Sequence, residues 1–195
     1  MIMNIFKHRL VNGWLSSLIL ATLFLDTGNL VYAQARRPGV SSLAELGCQG
    51  SNRSNYFAAN KDFIVGFEVF RAVGYLKTSQ GLTPDGKSYE LGYNGSRTAC
   101  RLASPGETPR FRTLSLAIGI PDDHAYGKGS VSRLSIYKDG QFYEYKDLTA
   151  GQKVLWIIDV TNTRSIGLAG ECIRPGSAWN TQGCPAIYFF EDLLE

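Results

Sequence analysis

Apolar side chains recur at every second position through much of this chain. Phe63, Val65, Phe67 and Val69 share one face of an extended segment at 63–72, and Leu114, Leu116, Ile118 and Ile120 repeat the alternation. A period of two belongs to a half-buried strand, whose successive side chains point to opposite faces. Leu134 and Ile136 alternate up to Asp139-Gly140, a dipeptide suited to a tight hairpin turn. Residues 142–146 then read as the returning strand, with Tyr143 and Tyr145 on a packed face. Val154, Trp156, Ile158 and Val160 mark another strand with Trp156 in the core, residues 166–169 a short one, and residues 186–190 a last one. Turn residues at Pro84-Asp85-Gly86, Asn94-Gly95 and Ala150-Gly151 separate such runs at the spacing of a β-sandwich. Near the front the pattern differs: Ser42 stands three residues before Glu45, the capping-box spacing, and Gly47 is placed to stop a helix of one or two turns.

The first residues bear on the compartment. Lys7 and Arg9 precede an apolar run at 15–25, and the small-residue pattern Ala33-Gln34-Ala35 follows. This is the layout of a secretory signal peptide, and the run is well short of the roughly 20 apolar residues that span a bilayer. Removal after Ala33 or Ala35 is expected, leaving no integral membrane segment and a secreted, periplasmic or cell-surface protein. Leu46-Gly47-Cys48 does not make a lipid-anchor site, because Glu45 is wrong there and no apolar run leads into it. The expected division is a signal peptide at 1–35, a lead-in with a short helix at 36–47, and one β-sandwich domain at 48–195.

All four cysteines, Cys48, Cys100, Cys172 and Cys184, follow the export segment. An even number in an oxidising destination favours two disulfides over metal thiolates. Of the three pairings, Cys172 with Cys184 is favoured because it closes a Gly/Pro-rich loop that needs a staple, which leaves Cys48 with Cys100. The acceptor patterns Asn52-Arg53-Ser54 and Asn94-Gly95-Ser96 are short enough to recur by chance and carry no weight. With 44% hydrophobic and 19% charged residues the chain has material for a core and too little charge for disorder. A net charge of +3 without a Lys/Arg block argues against nucleic acid or an anionic membrane as partner.

Gly129-Ser130-Val131, the run from Leu134 to Gly140, Leu148-Thr149-Ala150-Gly151 and a strand ending Ile158-Asp159-Val160 resemble the second half of the NPCBM family. Upstream, Gly81-Leu82, Tyr89-Glu90-Leu91-Gly92, and Phe111 through Ala117-Ile118-Gly119-Ile120 to Asp122-Asp123 keep that family's order, and Ser42-Leu43 through Leu46 suits its opening. The resemblance implies a carbohydrate-binding module with a galactose-binding-like jelly-roll fold, of the kind often attached to glycoside hydrolases. Two departures stand out. Members carry a His shortly after the first Gly-Leu and an Asp-His-x-x-Trp cluster near the last strand, where this chain has Thr83-Pro84-Asp85 and Ile187-Tyr188-Phe189-Phe190. An insertion at 171–185, bounded by two cysteines and containing Trp179, stands in their place.

Few residues offer chemistry of their own. His124, beside Asp122 and Asp123, is the one His of the mature part, and the usual nucleophile-elbow, zinc and nucleotide-loop signatures are missing. No cofactor or metal is called for, and a non-catalytic role is expected. Trp179 sits among Gly176, Ser177, Ala178, Asn180 and Thr181, away from any alternating run. A rigid ring on a stapled loop offers an apolar face to the C–H face of a sugar, while Asn180 and Arg174 can bond its hydroxyls; the alternative is that Trp179 folds under and plugs the end of the sandwich. Tyr126 and His124 in the neighbouring turn are further glycan-binding candidates. The sequence thus predicts an all-β jelly-roll β-sandwich with a short N-terminal helix and two disulfides. Its expected function is that of a secreted, non-catalytic carbohydrate-binding module whose partner is a glycan or polysaccharide. The alternative is a cell-envelope β-sandwich that has lost sugar binding and binds an envelope protein.

Overall fold

The alternating pattern folds into strands. The computed structural model describes residues 39–50, 56–78, 80–82, 88–90, 95–178 and 181–195, and among them every regular element is a strand. In chain order these are β1 (Ser41–Ser42), β2 (Gln49–Gly50), β3 (Phe57–Val65), β4 (Glu68–Leu76), β5 (Gln80–Leu82), β6 (Ser88–Glu90), β7 (Ser96–Arg101) and β8 (Thr113–Gly119). They continue as β9 (Val131–Lys138), β10 (Gln141–Leu148), β11 (Lys153–Asp159), β12 (Ser165–Arg174), β13 (Gly176–Ala178), β14 (Thr181–Gly183) and β15 (Ile187–Leu194). The export segment expected at 1–35, the turn expected at Pro84-Asp85-Gly86 and the Asn94 position of the next turn lie outside the described residues.

One sheet runs β11-β8-β15-β4-β3 with β1 added to β15, and the other runs β10-β9-β12-β7-β2. Neighbouring strands in both are antiparallel and many are distant in sequence, as the crossovers of a jelly roll require. Between the sheets lies one core. Leu114, Leu116 and Ile118 of β8 and Trp156 and Ile158 of β11 meet Leu134 and Ile136 of β9 and Ile166 and Leu168 of β12. Burying each such Leu or Ile contributes about 1.5 to 3 kcal/mol, so the alternation read from the sequence is also the main stabilising pattern. Both expected disulfides form, Cys48–Cys100 and Cys172–Cys184. No helix among the described residues is long and apolar enough to cross a membrane.

The short helix expected after Ser42 does not form. Half of its capping box does: the Ser42 N–H donates to Glu45 Oε2 at 3.0 Å. The backbone bonds that follow, Glu45 N–H to Ser42 O and Leu46 N–H to Leu43 O, span three residues and make turns only. Ser41 and Ser42 are tied to Leu194 and Leu193 as a strand, Leu43 is buried in the core, and Cys48 is bonded to Cys100. Between two such anchors there is no length for a helix to repay its nucleation.

Residues 63–72 are not one strand either. Gly66 and Phe67 both have positive φ, 59° and 72°, which is the two-residue hairpin geometry that matches strand twist. The chain reverses there, pairing Val65 with Glu68, Ile64 with Val69 and Phe63 with Phe70. Phe67 is therefore a hairpin tip, 99% exposed, and Val69 is exposed as well. The distal half of this hairpin leaves the sheet, because β4 pairs with β15 only at Gly74, Tyr75 and Leu76. It lies instead over β15 and the start of β11, with Phe63 4.4 Å from Tyr188, Phe70 5.4 Å from Phe190, and Lys153 Nζ 3.5 Å above the Phe70 ring. Two other expectations change. The strands placed at 166–169 and 186–190 extend to Arg174 and Leu194. A bulge between Phe142 and Glu144 leaves Tyr143 and Tyr145 exposed, each under a cation, Lys138 and Arg133 respectively, rather than on a packed face.

Candidate functional site

Four segments gather at one end of the sandwich: the β3–β4 hairpin tip, residues 120–130 after β8, residues 149–152 after β10, and the disulfide loop between β12 and β15. Asp122 ties the first two, donating its N–H to Ile64 O at 3.0 Å and accepting the Gly66 N–H on Oδ1 at 3.1 Å. Gly151 N–H donates to Ile120 O, which brings the third segment alongside. The fourth is joined by Arg174, whose Nε donates to Gly129 O at 2.7 Å, and by Gly176. A Cβ on Gly176 would sit 2.2 Å from Tyr126 O, so only glycine lets β13 approach that closely. Thr78 Oγ1 and Ser132 Oγ close the base of the loop by donating to Cys184 O at 3.0 Å and Pro185 O at 3.1 Å.

Three of the five glycan-binding candidates are brought together here. His124 is half-buried, and its Nδ1 accepts the Tyr126 N–H at 3.3 Å, which commits that nitrogen to the turn. Tyr126 is 9% exposed, and Arg174 is exposed with its guanidinium held over the turn carbonyl. Trp179 and Asn180 lie outside the described residues; the strands on either side of them, β13 and β14, pair from Gly176 with Gly183 to Ala178 with Thr181.

Phe67 was not among the candidates, and it is the most exposed large apolar side chain described. A non-glycine residue with φ of 72° is strained, here by the two-residue turn that it helps to form. Its sequence signal was the glycine before it: Val65-Gly66-Phe67-Glu68 is a two-residue turn whose apolar alternation continues unbroken on both sides. Ile64 and Val69 flank it and are exposed too.

Tyr56 donates to Asp192 Oδ2 at 3.0 Å inside the core, and burial, with the Asp192 charge beside it, pushes the phenol well above its ordinary pKa. A cleft of about 690 Å³ opens at the opposite end, lined by residues including Gly47, Arg101, Pro105 and Arg164. Arg164 bonds Glu107 O and Ser104 O there, and none of the described lining residues is aromatic, so the cleft offers no surface on which a sugar ring can stack. A shallower groove of about 400 Å³ crosses the outer face of β7 and β12, with Tyr137 and Arg97 over a floor of Gly167 and Ala169.

No family model matches the sequence, and no curated protein matches it significantly. Solved structures do share its fold. CBM51-2 with the INT domains of Clostridium perfringens ZmpB, in complex with GlcNAc, superposes with a TM-score of 0.52 at 15% identity over 80% of this chain and 31% of that one. CBM51 of Clostridium perfringens GH95, in complex with methyl-galactose, gives 0.51 at 11% identity over 80% of this chain and 99% of that one. The tandem CBM51 modules of Sp3GH98, the family 98 glycoside hydrolase of Streptococcus pneumoniae SP3-BS71, give 0.52 at 10% identity over 82% and 48%. The chain spans 31% of the ZmpB fragment and 48% of the tandem modules. At such identities the likeness is one of fold alone: the chain shares the fold of these CBM51 modules.

Proposed function

We propose that the protein is an exported, non-catalytic glycan-binding module that holds a sugar at the loop end of its sandwich. The observation that carries this reading is Phe67. It is a fully exposed aromatic ring, held in a strained turn and braced by Asp122, on a fold shared with carbohydrate-binding modules. An aromatic ring stacks on the C–H face of a pyranose, and charged or amide side chains order the ring through its hydroxyls. In this reading Phe67 and Trp179 are the platforms, Arg174 and Asn180 supply hydrogen bonds, and His124 and Tyr126 hold the connecting turn. Residues 1–35 act as the signal peptide, the lead-in ends at 47, and the two disulfides suit the oxidising compartment into which the mature domain is released.

A glycan array on the purified protein tests the reading, followed by titration of the best ligand against Phe67→Ala, Trp179→Ala and, as a control on the other surface, Tyr137→Ala. Weakened binding in the first two with Tyr137→Ala unchanged is expected. Loss of binding only in Tyr137→Ala would move the site to the groove on β7 and β12.

A further inference from the structure

The flank formed by β10 and β11 ends in an exposed edge strand, β11. β11 is a terminal strand of its sheet and pairs along its whole length with β8, without a bulge. Its outward side chains Leu155 and Ile157 are 72% and 75% exposed. The other long edges are blunted: β3 carries a bulge and the Asp62–Arg71 ion pair, and β10 carries a bulge followed by the charges of Glu144, Lys146 and Asp147. Proteins protect exposed edges in just these ways, and β11 lacks such protection through its middle.

The direction of its peptide groups follows from the ladder. Ile120 N–H donates to Gln152 O and Val160 N–H to Arg112 O, which places the even-numbered residues of β11 in hydrogen-bonded pairs with β8. The odd-numbered residues turn their N–H and C=O outward, as Asp159 O confirms by accepting Lys138 Nζ at 2.8 Å.

We propose that the protein self-associates as a two-fold dimer by antiparallel pairing of β11 with β11 of a second copy, centred on Trp156. In that register Leu155 faces Ile157 of the copy and Lys153 faces Asp159. Every residue with outward peptide groups then meets another of the same kind, so the hydrogen bonds match. The apolar pair lies at the middle and, with Lys153 turned from the Phe70 ring toward the copy, opposite charges meet at both ends, which is the self-complementarity a two-fold interface needs. Sliding the register by two residues either way sets Lys153 against Ile157 or Leu155 against Asp159. On the facing layer, exposed Tyr143 of β10 borders the same flank, since Lys138 Nζ lies 4.3 Å over its ring and also bonds Asp159 O. The partner is a second copy of this chain because the charge and apolar order of the strand is complementary to itself.

Charge exchange tests the register. Lys153→Glu and Asp159→Lys each set like charges opposite one another, and each is expected to weaken dimerisation about tenfold or more. In an equimolar mixture of the two variants the introduced glutamate faces the introduced lysine, and the Asp159 kept by one variant faces the Lys153 kept by the other. The sedimentation velocity of that mixture should return to the dimer value. A variant that failed to fold could not restore anything on mixing. With the unmodified protein, amide exchange at Leu155 and Ile157 should slow as concentration rises from about 1 to about 100 µM. A wild-type monomer at about 100 µM, a mixture no more associated than its components, or unprotected amides at 155 and 157 in a dimer would each overturn the proposal.

Discussion

Replacing Phe67 with glycine should make the protein more stable and less able to hold a sugar. Phe67 has φ of 72° and its side chain is 99% exposed, so removing the ring forfeits no burial while the turn gains a residue at ease in that conformation. Relief of the left-handed strain is worth about 1 to 2 kcal/mol, and the greater freedom of glycine in the unfolded chain offsets about 0.4 to 1 kcal/mol of it. The net gain is about 0.5 to 1 kcal/mol, a rise in melting temperature of roughly 2 °C for a domain of this size. Losing a stacking platform should cost about 1 to 2 kcal/mol of glycan affinity, or roughly 5- to 30-fold in Kd. Calorimetric melting and titration with the ligand returned by the array measure the two effects separately, and Phe67→Trp, which keeps both ring and strain, should bind with stability near wild type. A melting temperature lowered by Phe67→Gly would show that the ring has a packing role the geometry does not give it. A stabilised variant with unchanged affinity would remove Phe67 from the site.

Leu134 is fully buried between the sheets, so Leu134→Asp should cost about 4 kcal/mol or more, and a soluble variant with an unshifted denaturation midpoint would contradict that placement. Gly176→Ala drives a methyl against two backbone carbonyls, those of Tyr126 and Lys128, and should cost about 1 to 3 kcal/mol while weakening glycan binding through the displaced turn, both visible in the same titration and melting experiments. The Arg133 guanidinium, at 2.7 Å from Asp147 Oδ1, holds the Asp147 carboxyl below its usual value. That contribution is complete above the unfolded-state pKa near about 3.9 and is lost as pH falls through the lower folded value. Urea unfolding at neutral and acid pH should therefore show a smaller acid-induced loss in Asp147→Asn than in the wild type.

Local patterning specifies three core strands and their inner faces. Leu114 to Ile120, Leu134 to Ile136 and Val154 to Val160 alternate because each lies on one flat sheet with a single core on one side, and that period is a local property of the chain. The Asp139-Gly140 hairpin was legible for the same reason: both residues have positive φ, and the dipeptide is suited to that conformation wherever it stands. The disulfide pairing was legible from loop closure. Other features depend on contacts between distant segments. Alternation through 63–72 runs across a turn, and a two-residue hairpin inverts its parity, placing Val69 on the face of Ile64 rather than that of Phe63 and Val65; only pairing with Glu68 and Val69 shows that Phe67 leaves the core. Ser42 and Glu45 carry a helix start, yet pairing of Ser41 with Leu194 and the Cys48–Cys100 bond remove the length a helix needs. His124, Tyr126 and Arg174 stood out one by one in the sequence, but their common end depends on Gly176 meeting Tyr126 and Arg174 meeting Gly129 across about 45 residues of chain, contacts that no local pattern encodes. The exposed pair Leu155 and Ile157 lies between core positions of the same strand, and its meaning comes from β11 being the last strand of its sheet.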